Sequence, residues 1–225
     1  MSDGNEIILI ITEDTHSGLD YLQSLIDHLG LKHRVEAISS DHPDPGNVID
    51  SAIRVAKVRN RDVRIDRIFC LFDGDTFLRG GQESRNARNA LQKGIRQKTT
   101  TGNPWQVLIS TPCFEVFLLL HFQEMPGPVS LTKVSGRESW CLGVERMLSN
   151  VLQGEAGQKG YDKGQSLPFH LFRDKVRLAA DRARRDEDSR RASGDPIVFF
   201  NPSTMVHHLI DVLLAERSGG ARLPP

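Results

Sequence analysis

The sequence lacks paired cysteines, an excess of charge of either sign, and a hydrophobic run long enough to cross a membrane. Its three cysteines, Cys70, Cys113 and Cys141, are far apart and form no CxxC pair, which argues against a disulfide framework and structural zinc. Lys plus Arg and Asp plus Glu each total 29, so any contact with nucleic acid must come from a local patch. The first apolar run is short and follows acids, unlike a signal peptide or membrane span. We therefore expect a soluble, cytoplasmic globular protein with no membrane association.

Alternating apolar segments predict the fold class. The uninterrupted run EIILIIT at 6–12 is typical of a strand that is covered on both faces, as in a parallel sheet. Apolar residues spaced by three and four predict a helix over 17–30, with Gly30 as its stop. The same alternation predicts strands near 33–38, 65–72 and 105–109 and helices near 48–58 and 83–98. The sequence thus indicates an α/β fold whose mainly parallel sheet is flanked by helices and carries its chemistry at the C-terminal strand ends.

The alternation loosens after about residue 122, which indicates an elaboration of the core. We predict a core over 1–125, a mostly helical insertion with a Gly-rich loop over 126–196, a strand and helix over 197–217 that complete the core, and a flexible tail over 218–225. Within these segments, helices are expected near 140–152, 169–191 and 203–216, and a short strand is expected at PIVFF, residues 196–200.

Acidic residues follow two of the predicted strands. Glu13 comes directly after the first strand, and Asp73 and Asp75 follow the apolar segment IDRIFCLF. If the chain stays extended there, period-two geometry aims Asp73 and Asp75 to the same side. Carboxylates so close repel each other unless a cation lies between them, which favours Mg²⁺ or Mn²⁺. For Glu13, the alternative interpretation is a solvated loop acid beside Asp14.

The Asp-Gly-Asp pattern occurs in several classes of protein, so its context matters. An EF-hand is excluded because the regular ligand series and closing glutamate are missing after Thr76, and because the flanking segment is an apolar strand. A phosphatase of the haloacid-dehalogenase type remains a minor alternative. It is disfavoured because Phe77 stands where such enzymes usually have Thr or Val, and because a complete strand-helix unit precedes the motif.

The segment STPCFEVFLLLHF offers a further candidate ligand. Pro112 suits the first turn of a helix capped by Ser110 or Thr111, which would place Glu115 in that turn. Glu115 is then either a metal ligand or base, or a charge that interacts favourably with the helix dipole. His121, on the same apolar segment, is interpreted as a hydrogen-bonded core histidine.

Basic residues could contact phosphate groups. Lys163, in the Gly-rich loop, could neutralise charge that develops on a phosphate. The segment after the Asp-Gly-Asp motif is net basic, with Glu83 as its acid and a set of candidate nucleic-acid contacts: Arg79, Arg85, Arg88, Lys93, Arg96 and Lys98. A plain exposed helix is the alternative for this segment. His207 and His208 are interpreted as structural or surface residues, and the charged segment 169–191 as a solvated helix with internal ion pairs.

The succession IITE, FCLFDGD, STPCFEVFLLLHF, YDK and NPST resembles the RloB-like family of bacterial phage-defence proteins, which is assigned a TOPRIM fold. A glutamate after the first strand and a later DxD also resemble the TOPRIM pattern of topoisomerases, primases and OLD nucleases. Glu13 and Tyr21 match the family's first motif, whereas Gly18 stands in place of its second glutamate and Thr111 in place of an asparagine in the third motif. The chain is therefore similar to a divergent member.

The resemblance implies metal-dependent cleavage of a nucleic-acid phosphodiester, in DNA or RNA, in a phage-defence system. It implies Asp73, Asp75 and Glu115 as ligands of Mg²⁺ or Mn²⁺, Glu13 as ligand or base, and Lys163 as an assisting residue. An ATPase is an expected partner protein. The alternative is a non-catalytic regulatory subunit that binds nucleic acid or a nucleotide, which Gly18 favours slightly.

Overall fold

A computed structural model describes residues 6–134, 137–156, 160–163, 167–192 and 200–219 of the chain. Its main feature is a five-stranded sheet in the order β2-β1-β3-β4-β7. The strands are β1 (Glu6–Thr12), β2 (Val35–Ser39), β3 (Arg64–Asp73), β4 (Gln106–Thr111) and β7 (Ser203–Thr204). The first four strands are mutually parallel, and β7 pairs antiparallel with β4. The prediction of an α/β fold with a mainly parallel sheet is confirmed.

Helices cover both faces of this sheet because its central strands β1 and β3 carry apolar side chains on both faces. In β1, the side chains of Ile8 and Ile10 join one hydrophobic cluster and those of Leu9 and Ile11 join the other, as period-two geometry requires. The helices are α1 (Ser17–His28), α2 (Pro45–Arg59), α3 (Asp75–Arg79), α4 (Gly81–Ile95), α5 (Glu115–Leu119), α6 (Cys141–Ala156), α7 (Val176–Arg191) and α8 (Val206–Arg217). Helices α2 and α4 pack on one face, and α1 with α5 to α8 on the other.

Several predicted boundaries are confirmed within a few residues, including the stop at Gly30, whose φ of 72° suits glycine. The helix predicted at 83–98 is confirmed as α4, which begins two and ends three residues earlier than predicted. The short helix α3 was not predicted, and Gly80 and Gly81, with positive φ, separate it from α4. The helix predicted at 169–191 begins instead with two 3₁₀ turns, Phe169–Leu171 and Arg173–Lys175, before α7.

The predicted helix start at Ser110 to Pro112 is wrong. Ser110 and Thr111 belong to β4, where they pair with Thr204 and Ser203 of β7, so neither residue is available as a cap. Helix α5 begins at Glu115 and has no side-chain cap. Glu115 nevertheless lies in the first turn, as expected.

The last described strand of the sheet follows the predicted strand PIVFF along the chain. Residues 196–199 of PIVFF lie outside the described residues, Phe200 is not part of a strand, and β7 follows at Ser203–Thr204. The final helix therefore begins at Val206 rather than at Ser203.

The segment predicted as an insertion packs onto the core. It contains a two-stranded antiparallel sheet, β5 (Thr132–Val134) and β6 (Arg137–Ser139), which the sequence did not predict, followed by α6 and α7. Of the Gly-rich loop, residues 160–163 are described, and of the predicted tail, Ser218 and Gly219. Within the described residues, no helix is both long and apolar enough to cross a membrane.

Candidate metal centre

Glu13 and Asp73 meet at the C-terminal ends of the parallel strands β1 and β3. The backbone N–H of Asp73 donates a hydrogen bond of 3.0 Å to Oε2 of Glu13. Glu13 is only 9% exposed, so it is not the solvated loop acid of the alternative interpretation. Burial, together with the negative charge of Asp75, raises the pKa of Glu13 to about 7, although the hydrogen bond from Asp73 opposes this rise.

Asp73 connects the end of β3 to the start of the segment after β4. Its Oδ1 accepts a hydrogen bond of 2.9 Å from the backbone N–H of Phe114, and its Oδ2 lies 4.0 Å from Nζ of Lys163. Burial raises the pKa of Asp73 well above its ordinary value even though Lys163 acts in the opposite direction. The protein therefore holds this carboxylate in surroundings where added positive charge is favourable.

Glu115 is fully buried and its Oε1 has three polar neighbours. The Tyr161 hydroxyl donates to it at 2.7 Å, and Lys163 Nζ lies at 3.2 Å. Ser17 Oγ lies at 3.0 Å and shares its single proton between Glu115 and Asp14. Burial opposes ionisation of Glu115, but the charge of Lys163 and hydrogen bonds, including that of Tyr161, lower its pKa overall. Its other oxygen, Oε2, is buried and has no hydrogen-bond partner among the described residues.

Asp75 is placed differently from Asp73. The chain does not stay extended after β3, because Gly74 has helical dihedral angles (φ −89°, ψ −1°) and α3 begins at Asp75. The Asp75 carboxylate pairs with Arg79 Nη2 at 2.5 Å. The negative charge of Asp75 still contributes to the raised pKa of Glu13.

A pocket of about 240 Å³ opens beside these acids. Glu13, Asp14, Asp73 and Lys163 line it, together with Pro43 from the segment after β2. The predicted ligands Glu13 and Asp73 and the predicted cation Lys163 therefore share one cavity at the strand ends.

Sequence reasoning gave Asp14 and Ser17 no role in the site and named Tyr161 only as part of the YDK motif. Asp14 is buried and its Oδ2 accepts hydrogen bonds from Ser17 Oγ and from the backbone N–H of Gly18, which ties the loop after β1 to the first turn of α1. An acid shortly before a helix start is a recognisable local signal. The contacts of Ser17 and Tyr161 with Glu115 join distant parts of the chain, and no local pattern indicates them.

The predicted nucleic-acid contacts are exposed on α3, α4 and the turn that follows. Part of their charge is compensated: Arg79 pairs with Asp75 and with Glu83, and Lys93 pairs with Asp50 at 2.5 Å. The other members of the patch are Arg85, Arg88, Arg96 and Lys98.

The donor atoms at the strand ends are those that a hard divalent cation prefers, because they are carboxylate oxygens in a buried, negatively charged site. The unpartnered Oε2 of Glu115 is a further available donor. In the described part of the chain, however, no three of these acids offer ligand atoms that all lie within 4.8 Å of one another. Side-chain rotation would be needed for three of them to share one ion.

Glu187, His207 and His208 do form a group with this close spacing, and they are a possible metal-binding group on α7 and α8. His121 is a buried core histidine, as predicted. Its Nδ1 lies 3.1 Å from the carbonyl of Phe117, and its Nε2 lies 2.9 Å from the hydroxyl of Tyr21.

Comparison with known protein families assigns the chain to one of them. The profile of the family described as RloB-like protein matches residues 8–213, which is most of the sequence, so the chain belongs to the RloB-like family. No curated protein and no solved structure matches the chain.

Proposed function

We propose that this RloB-like protein is a TOPRIM-type nuclease that uses Mg²⁺ or Mn²⁺ to hydrolyse phosphodiesters of DNA or RNA in phage defence. The observation that carries the proposal is the contact of Glu13 with Asp73 at the ends of adjacent parallel strands, with Lys163 and Glu115 beside Asp73. The nuclease activity and the defence role rest on the family resemblance, whereas the site residues rest on this geometry.

Glu13, Asp73 and Glu115 would hold the ion, which would supply Lewis-acid polarisation of the phosphate and lower the pKa of a bound water. Where Glu13 does not bind the ion, it would instead accept a proton from the attacking water, because its pKa without metal is about 7. The Lys163 ammonium would neutralise charge that develops on the phosphate oxygens. Ser17 and Tyr161 hold Glu115 in place through their hydrogen bonds to Oε1.

The phosphate backbone on either side of the scissile bond needs a positively charged path. The exposed basic residues of α4 and its following turn come soon after Asp73 and Asp75 along the chain. We assign to them contacts with the backbone that are independent of sequence.

A second function is favoured by a specific observation. The protein's own cations already pair with three of the four acids, since Lys163 lies near both Glu115 and Asp73 and Arg79 contacts Asp75. A subunit that binds nucleic acid or a nucleotide without cleaving it would have this internal compensation, and Gly18 in place of a glutamate fits such a subunit.

The test is a cleavage assay with plasmid, single-stranded DNA and RNA in the presence of Mg²⁺ or Mn²⁺. Asp73→Asn keeps the shape of the side chain but removes its charge, and we expect it to lower the cleavage rate by about 100-fold or more. Asp27→Asn, at an exposed position on α1, is the matched control and should cleave at the wild-type rate.

Cleavage that survives Asp73→Asn would contradict the assignment of the site. Binding of nucleic acid without cleavage under any metal condition would support the non-catalytic function instead.

A further inference from the structure

A second cluster of metal-ligating side chains lies between α7 and α8, which pack against each other. Nε2 of His207 lies 3.1 Å and Nε2 of His208 lies 3.0 Å from the same oxygen, Oε2 of Glu187. The two imidazole rings are neighbours, with centroids 4.1 Å apart. Two imidazole nitrogens and one carboxylate oxygen therefore point towards one small region.

The cluster is largely enclosed but not sealed. Glu187 and His207 are buried, whereas the side chain of His208 is 38% exposed and provides contact with solvent. The remaining ring nitrogen of His207, Nδ1, is buried and has no hydrogen-bond partner in the described part of the chain. Nε2, on the other side of the ring, is the nitrogen that faces Glu187.

Arg191 orients the Glu187 carboxylate through Oε1, the oxygen that does not face the histidines. Nε of Arg191, one turn further along α7, donates to Oε1 of Glu187 at 2.8 Å. This contact fixes the carboxylate and leaves Oε2 directed to the two histidines. Outer contacts that orient a ligand in this way are a regular feature of metal sites in proteins.

We propose that Glu187, His207 and His208 bind a divalent first-row transition-metal ion, for which Zn²⁺ is the representative. Two imidazoles and a carboxylate are the donor set of three-ligand zinc sites, in which a water completes a tetrahedral arrangement. Mg²⁺ is a poor occupant because it prefers an all-oxygen octahedral shell. This site uses none of the acids at the strand ends and does not depend on the proposed nuclease function.

The site joins α7 to α8, the helix that follows β7 and packs against the sheet. An ion held by both helices would tie the last element of the core to the preceding charged helix. The ion would therefore stabilise the fold, since binding to the folded state alone raises stability by mass action.

The experiment is calorimetric titration of Zn²⁺ into the full chain, freed of any polyhistidine tag and treated with a chelator, in buffer with excess Mg²⁺. Co²⁺ added to a second sample provides a visible absorption spectrum that reports on the ligands. We expect one Zn²⁺ per chain, and about 10-fold or more weaker binding for His208→Gln and for Glu187→Gln.

Two controls separate this site from other histidines and acids. His33→Gln, at an exposed position, and Asp73→Asn, at the strand ends, should both keep the wild-type affinity for Zn²⁺. If Glu187→Gln fails to fold, as judged by thermal unfolding without metal, the half-exposed His208→Gln decides. Equal Zn²⁺ affinity and the same Co²⁺ spectrum in wild type and His208→Gln would overturn the proposal.

Discussion

Nζ of Lys163 lies 3.2 Å from Oε1 of Glu115, a carboxylate with no exposed surface. The residues are 48 positions apart in the sequence, and the contact places a cation from the Gly-rich loop over the first turn of α5. Lys163 thus supplies positive charge beside two acids of the candidate site, Glu115 and Asp73.

Removing the cation of this pair should destabilise the fold. Lys163→Met leaves the buried Glu115 charge without its ammonium, and we expect a loss of about 1–3 kcal/mol in the free energy of unfolding, limited by the partial exposure of Lys163. Urea denaturation provides the measurement. Adding Glu115→Gln to Lys163→Met removes the unpaired charge and should restore part of the loss. A double variant that is no more stable than Lys163→Met alone would contradict this coupling.

Metal binding at the strand ends should depend on pH through Glu13. Its pKa of about 7 means that a proton occupies the carboxyl below neutrality, and a metal ion must displace that proton to bind. The apparent affinity for Mn²⁺ should therefore fall by about tenfold for each pH unit below 7 and for each proton displaced. Calorimetry at pH 6, 7 and 8 measures this dependence. Glu13→Gln should bind Mn²⁺ more weakly and lose this part of the pH dependence, and identical wild-type affinities at pH 6 and pH 8 would refute the prediction.

Glycine is required at position 74 because Thr111 lies too close to leave room for a Cβ, and not because of the dihedral angles of Gly74. A Cβ at this position would lie 2.1 Å from Oγ1 and 2.9 Å from Cβ of Thr111, although the backbone conformation suits any residue. Gly74→Ala should therefore cost about 1–3 kcal/mol of stability through overpacking. Thr111→Ala should relieve part of this cost in the double variant.

The matched control for this substitution is Gly154→Ala, at an exposed position in α6 where an added Cβ meets nothing within 4 Å. It should stabilise the chain by about 0.5–1 kcal/mol, because alanine is the better helix former. Thermal or urea unfolding distinguishes the two outcomes. Equal stability of Gly74→Ala and wild type would show that Thr111 moves aside at no cost.

Stability in mild acid should depend on His121. Burial lowers the pKa of His121 to about 3, so the folded state keeps this ring neutral while the unfolded chain takes up a proton near pH 6.5. The stabilising contribution is complete above pH 6.5 and is lost as the pH falls towards 3, at about 1.4 kcal/mol per pH unit. Comparing unfolding free energies at pH 7.5 and pH 5 in wild type and His121→Gln measures it.

His121→Gln should show a shallower loss of stability between these two pH values. Tyr21→Phe removes the hydroxyl that contacts His121 but leaves the ring to titrate, so this variant should keep the steeper dependence of the wild type. A wild-type slope that persists in His121→Gln would assign the effect to other groups.

Binding of nucleic acid should depend on the basic patch in a salt-sensitive way. Arg85→Ala with Arg96→Ala removes two exposed charges, and we expect weaker binding at low salt together with a smaller dependence of log affinity on log salt, by about 0.7–0.9 per lost phosphate contact. Arg177→Ala, exposed on α7, is the control and should leave both quantities unchanged. Fluorescence anisotropy with single-stranded and duplex oligonucleotides measures both. An unchanged salt slope in the double variant would place the nucleic acid elsewhere.

The strand-helix alternation and the position of the strand-end acids follow from the sequence alone. A run such as 6–12 has apolar residues on both sides of the strand, so it must be covered by helices on both faces, and parallel strands bring their C-terminal ends to one edge. Glu13 and Asp73 meet there for that reason. The two-residue strand β7 could not be predicted, because it is too short to show a hydrophobic period and is defined only by its pairing with β4.

Tertiary structure alone decided which partners each acid has. Glu115 receives contacts from Ser17, 98 positions earlier, and Tyr161, 46 positions later, and Glu187 meets His207 and His208 across a helix interface. Local periodicity reports which face of an element is buried but contains no information on which distant side chain shares that face. The charge state and the candidate metal affinity of these groups follow from burial and from such distant neighbours, and only the folded chain sets both.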